Sequence, residues 1–121
     1  MKCYNCGADL TGDNRCPNCG IDVKVYKKIV MTSNYYYNQG LERSNVRDLS
    51  GAIESLKKSL RFDKTNIQAR NLLGLVLFET GEAVSAMGEW VISKSLQPKD
   101  NDAGCYLDAV QKNPAQLETV N

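Results

Sequence analysis

Residues 69–98 read ARNLLGLVLFETGEAVSAMGEWVISKSLQP, and this stretch decides the fold. Apolar residues recur at three- and four-residue spacing on both sides of Gly81, so it reads as two helices joined by a tight turn. Gly81 suits the left-handed conformation that ends a helix, and Pro98, lacking an N–H, closes the second one. The pattern also recurs upstream. Gly40 and Gly74, Leu41 and Leu75, Ala52 and Ala86, Leu56 and Trp90, Ser59 and Ser93, and Phe62 and Leu96 are pairs at one constant spacing. Small residues such as Gly74 and Ala86 let two antiparallel helices approach closely, and the bulky Trp90 fills the space beside them.

That spacing is a helix–turn–helix period of about 34 residues, and with small residues at these places it resembles the tetratricopeptide repeat (TPR). Within 69–98, Leu73 and Gly74 take the Leu-Gly place of the first helix, Gly81 the turn, Ala86 the small contact, Trp90 the large apolar one and Pro98 the closing proline. Residues 35–66 form a looser copy, with Gln39 in place of the leucine, Arg47 of the turn glycine and Lys64 of the proline. The resemblance implies a mainly α fold, a TPR-like α-solenoid of about two helix pairs plus one extra helix at 103–112.

Outward from the repeats, Val23, Tyr26, Ile29, Val30, Ser33, Tyr36, Tyr37, Gly40 and Leu41 step at the spacing of one buried helix face. They predict a long first helix over 23–45. Leu49, Ile53, Leu56 and Leu60 predict a second, with Ser50 near its start. Further helices are expected at 67–80, 83–95 and 103–112, the last stopping before Pro114. Each unit of such an array buries its apolar face only on a neighbour, so arrays need about three units and an end cap. The fifth helix is either that cap or the start of a third unit in a longer protein. The second is expected, because residues 113–121 carry neither a cap nor a charged tail.

Residues 1–22 belong to a different kind of structure. Cys3 and Cys6, then Cys16 and Cys19, form two Cys-x-x-Cys pairs, each followed by a glycine, Gly7 and Gly20. Two residues between thiolates let the backbone turn so that both sulfurs face one tetrahedral ion. Gly12, Asp13 and Asn14 mark the turn between the pairs. The segment resembles the short zinc ribbons at the start of many prokaryotic proteins, and the resemblance implies one structural Zn²⁺ held by Cys3, Cys6, Cys16 and Cys19. Rival readings fit less well. A disulfide framework sits badly with five cysteines and no signal peptide. A redox pair needs a strand–helix setting that this short polar segment lacks. Rubredoxin-type iron uses similar pairs but separates them by a much longer stretch. Four thiolates leave no open ligand position, and the chain has no histidine, so the site reads as structural rather than catalytic. With few large apolar side chains, this segment must draw most of its local stability from the metal.

The domain division is therefore 1–22 for the zinc ribbon and 23–121 for the helical part. At 42% hydrophobic and 24% charged residues, the composition is that of a globular protein. No apolar run approaches the roughly 20 residues that span a bilayer. Unpaired cysteines and the lack of an export signal suggest a reducing, cytoplasmic setting. Charge is uneven: residues 23–64 hold nine Lys/Arg against four acids, a net +5, while 65–121 carry a net −3. Solvated outer helix faces account for this, although the basic middle could also steer an acidic partner.

The TPR resemblance implies a binding module in which the first helix of each pair lines a concave groove. Carried onto this chain, the groove candidates are Tyr37, Leu41 and Ser44 from the first repeat and Gln68, Asn71, Leu75, Phe78 and Glu79 from the second, with Cys105 and Ala109 as additions. The same residues are the ones a third repeat would cover. Leu41 and Leu75 stand where the clamps for acidic chaperone tails want asparagine, so an apolar or mixed peptide is the expected ligand. The combined expectation is a cytoplasmic bacterial adaptor that binds a protein or peptide, with homodimerisation through an open solenoid end. The alternative is a nucleic-acid-binding regulator using the ribbon and the basic first helix, where Tyr35, Tyr36 and Tyr37 lie among Lys27, Lys28, Arg43 and Arg47. Against it, consecutive helical residues point about 100° apart and cannot form one stacking platform, and the ribbon carries only two basic residues. No enzyme is expected, since histidine, a phosphate loop and a nucleophile with an adjacent base are all missing. Cys105, beside Tyr106 and Leu107, reads as a small packing residue.

Overall fold

A computed structural model of the chain describes residues 1–112, so the expectations placed on 113–121, Pro114 included, lie outside it. The described residues form five helices: α1 (Lys24–Asn45), α2 (Leu49–Phe62), α3 (Ile67–Glu79), α4 (Ala83–Leu96) and α5 (Ala103–Lys112). The chain is mainly α, and its described residues contain no strand, only two isolated antiparallel bridges, Lys2 with Asp9 and Arg15 with Asp22. Each helix packs against the next in sequence, and α1 also reaches α3.

Local chemistry sets the helix ends. Asp48 caps α2 by accepting the Gly51 N–H at 3.1 Å, and Asn66 caps α3 by accepting the Ala69 N–H at 3.1 Å. Ser50 stands near the start of α2, as expected, one residue inside it, and the cap is Asp48. Gly81 has φ 91°, the left-handed turn foreseen for it. Arg47, one period earlier, takes the same conformation at φ 66°, where a side chain costs about 1–2 kcal/mol.

The core runs along the seams between helices, with Ala52, Leu56, Leu73, Ala86 and Trp90 buried in one cluster. Glycine is needed at two of these seams. A methyl group at Gly74 would lie 2.6 Å from Trp90 Cε2, and one at Gly40 would lie 2.6 Å from Leu56 Cγ. The two glycines are one period apart, and so are their partners.

Polar side chains share the core. Ser33 and Ser59, both fully buried, exchange bonds: Ser33 Oγ donates to the Ser59 carbonyl at 2.8 Å, and Ser59 Oγ to the Ser33 carbonyl at 2.7 Å. The Asn66 amide adds a bond to Ser33 Oγ at 2.9 Å, tying α1, α2 and α3 at one point. At the next seam Ser93 Oγ donates to Asn71 Oδ1 at 2.6 Å, and the Asn101 amide reaches the Ser93 carbonyl at 3.0 Å.

The apolar face expected along α1 is only partly covered. Val23, Ser33 and Gly40 are buried, but Ile29 and Leu41 are 39% and 36% exposed. For Ile29 the Ser33–Ser59 contact fixes the reason: α2 ends at Phe62, one turn past Ser59, so the first turns of α1 run past its end. Those turns carry a second small cluster instead, in which Val23 is buried with Cys3 and Cys16 against Leu10, Ile21 and Tyr26.

Candidate metal centre and binding groove

Two turns of nearly identical backbone bring the cysteines together. In the first, the Cys3 N–H donates to the Ala8 carbonyl at 2.8 Å and the Gly7 N–H to the Cys3 carbonyl at 3.0 Å. In the second, the Cys16 N–H donates to Ile21 at 2.9 Å and the Gly20 N–H to Cys16 at 2.9 Å. Gly7 and Gly20 have φ 79° and 77°, which closes each turn in a conformation that costs other residues strain. The sequences of the two turns superpose, Lys2 to Asp9 on Arg15 to Asp22: a basic residue, Cys, any residue, Asn, Cys, Gly, any residue, Asp.

The four sulfurs lie within 4.8 Å of one another. Cys6 and Cys16 are 3.5 Å apart and Cys3 and Cys19 are 3.8 Å apart. These separations are far from the roughly 2.05 Å of a disulfide. They match the edge of about 3.8 Å that follows from a tetrahedral ion with metal–sulfur bonds of about 2.3 Å. The donor set fits a metal ion, and four sulfurs in a tetrahedron suit zinc or iron.

The surroundings favour thiolates. Asn18 donates its side-chain amide to Cys6, and with the Ala8 N–H it holds the Cys6 pKa down to about 6. Asn5 and the Ile21 N–H lower Cys19 in the same way from the opposite turn. The Asn5 N–H also donates to Cys3 Sγ at 3.4 Å. Each turn therefore supplies donors to a cysteine of the other, and such bonds stabilise the charged sulfur that metals require. For Cys16 a hydrogen bond from the Cys19 backbone lowers the pKa, but burial and the neighbouring Cys6 and Cys19 leave it raised.

The centre is fastened to α1 by contacts that the sequence reading missed. Lys27 Nζ donates to the Thr11 and Asp13 carbonyls, gripping the loop between the turns. Tyr26 lies against Tyr4 with ring centroids 5.0 Å apart. The basic side chains of the segment are engaged locally, Lys2 with Asp9 and Arg15 with the Gly20 carbonyl at 3.0 Å. The echo between the turns, with Asn5 matching Asn18, was the signal in the sequence for the shared donors.

In the helical part, Tyr37, Gln68, Asn71 and Leu75 line one open groove of about 280 Å³ with Leu72, Asp102 and Tyr106. Four of the eight groove candidates thus meet. Leu75 is 37% exposed, with Gln68 also open to solvent. Asn71 lines the groove but uses its amide on Ser93 and Asn101, at 2.6 and 2.8 Å, and its carbonyl on the Trp90 indole. The remaining candidates lie elsewhere. Phe78 packs on Trp90 at 6.1 Å, Glu79 pairs with Arg47 at 3.1 Å, Ser44 donates to the Leu41 carbonyl, and Leu41 is exposed. Cys105 and Ala109 are exposed on α5 outside this groove. Asp102 and Tyr106 were not foreseen. Tyr106 packs on Trp90 at 5.3 Å, and burial pushes its phenol pKa up.

Comparison with protein-family models, with curated proteins and with solved structures finds no match to this chain.

Proposed function

We propose that the chain is a protein–protein interaction adaptor, a TPR-like array whose groove takes a peptide or a partner helix. The observation that carries this reading is the convergence of Tyr37, Gln68 and Leu75, from two different helices, on one open groove. The repeated seams support it: Gly40 faces Leu56 as Gly74 faces Trp90, one period later. The four-cysteine centre is structural in this reading and holds one Zn²⁺, since four thiolates leave no place for substrate or water. A cytoplasmic location in a bacterium belongs to the same proposal, as does pairing of two copies through an open end of the solenoid. The nucleic-acid alternative is weaker, because the basic residues of the cysteine segment already serve acceptors of the segment itself. No catalytic role is proposed.

The test is affinity capture from the host's lysate with the native chain and with Leu75→Glu, each with and without nuclease. Leu75 is exposed, so the charge should leave the fold intact, to be checked by circular dichroism. A protein retained by the native chain, lost with Leu75→Glu and indifferent to nuclease is the expected result. Equal retention by both chains would remove the groove from the reading.

A further inference from the structure

The outer side of α2 carries features that the groove does not use. Three shallow hollows adjoin there, because Arg61 is shared between two of them and Phe62 between two. The first, about 320 Å³, is cationic: Lys57, Arg61, Lys64 and Arg70 line it against a single acid, Glu89. Arg70 bonds Glu89 at 2.8 Å and the Lys64 carbonyl at 2.8 Å, while its Nε–H is buried and finds no acceptor in the protein. The cleft therefore holds more donors and more positive charge than its own groups satisfy. The second hollow, about 280 Å³, lies between Lys58, Arg61 and the stacked rings of Tyr36 and Phe62. The third, about 210 Å³, is apolar, with Val25, Ile29 and Phe62 exposed at 68%, 39% and 47% and Lys28 at its edge.

We propose that this face binds an acidic peptide segment in which carboxylates flank an apolar side chain. Charge complementarity selects the occupant. Six cations, Lys28, Lys57, Lys58, Arg61, Lys64 and Arg70, line the three hollows against Glu89, which pairs with Arg70, and Glu54, which lies 3.7 Å from Lys58 outside the lining. The carboxylate already seated there, Glu89 on Arg70, shows the kind of anion that the cleft accommodates. The apolar hollow takes an aliphatic or aromatic side chain between Val25, Ile29 and Phe62, and Lys28 with the cations of the adjoining hollows takes the flanking acids. A nucleic-acid strand fits less well. Stacking needs free ring faces, whereas Tyr36 is stacked on Phe62 at 5.7 Å and also has Lys58 Nζ 5.7 Å from its centroid. The surface is separate from the groove, since the two share no residue.

The experiment uses the full metal-loaded chain and a fluorescein-labelled synthetic peptide in which pairs of glutamates alternate with single leucines. Fluorescence anisotropy is read at low and high salt. Saturable binding is expected, weakened by salt because the contacts are exposed charges. Arg61→Glu and Lys64→Glu should each weaken it about tenfold or more, as a reversed charge replaces attraction with repulsion. Phe62→Ala should weaken it with little change in salt dependence, and Leu75→Glu in the groove should leave it unchanged. Arg61 and Lys64 are exposed, and circular dichroism of their variants checks the fold. Absence of binding, equal binding by the charge-reversed variants, or tighter competing binding by a single-stranded oligonucleotide would each overturn the proposal. Loss of binding with Leu75→Glu alone would place the peptide in the groove, and would overturn it as well.

Discussion

Single residues set the spacing of the helices, and Gly74 is the clearest case. Its Cα faces the Trp90 indole so closely that a methyl group would lie 2.6 and 2.7 Å from two ring carbons. The ring cannot swing away without losing its bond from Nε1 to the Asn71 carbonyl at 3.2 Å. Gly74→Ala should therefore destabilise by about 1–3 kcal/mol, the range for overpacking a core, although alanine is the better helix former. Gly40→Ala meets Leu56, a branched aliphatic side chain with other rotamers, and should cost less. Urea melts of the two variants give the order, and a Gly74→Ala protein as stable as the native one would refute the close-packing account. The sequence made this much readable, because glycine inside an otherwise apolar helix has few other uses. What it hid was polarity. Ser59 and Ser93 stand out only as equal letters one period apart, and nothing local says that both are buried and bonded across seams.

At the scale of elements, apolar periodicity located all five helices to within a residue or two, since burial against a neighbour imposes the three- and four-residue spacing. It misplaced exposure in α1, because a periodic face does not reveal where the partner helix stops. It also gave no cap for α2, where Asp48 lies outside the apolar pattern. The two asparagine and aspartate caps differ in what else they hold. Asp48→Ala removes one bond at the start of α2 and should cost about 1 kcal/mol. Asn66→Ala removes the α3 cap and also the amide bonds to Ser33 Oγ and Asn34 Oδ1, at 2.9 and 3.1 Å. Its loss should approach about 2 kcal/mol, adding one net hydrogen bond of about 1 kcal/mol to the cap. Thermal denaturation of both variants decides the point. Equal losses would mean that the Asn66 junction adds nothing beyond its cap.

For the whole molecule, the cysteine pattern gave the four candidate ligands directly, because thiolates at that spacing have little else to do. It could not give the attachment, which runs through Lys27 and Tyr26 to side chains and carbonyls distant in sequence. That attachment divides the molecule unevenly. The sulfur cluster packs with Val23 and Tyr26, while the main core draws on α2 to α5 and on Tyr37 of α1, further along that helix. Between them, the first turns of α1 meet α2 at its last residue, Phe62, and lean on the cysteine segment. Removing the metal with a chelator, or replacing Cys3 and Cys16 by serine, should therefore unfold residues 1–22, since such a segment has little core of its own. Fraying should spread into α1 and halt near Ser33, where the buried serine pair joins α1 to α2. Hydrogen exchange resolved along the chain reads this directly, with fast exchange through the start of α1 and native protection in α2 to α4. Collapse of protection throughout would mean that metal and helices fold as one unit. Unchanged exchange in residues 1–22 would mean that the turns stand without the ion, and the metal's structural role would fall with that result.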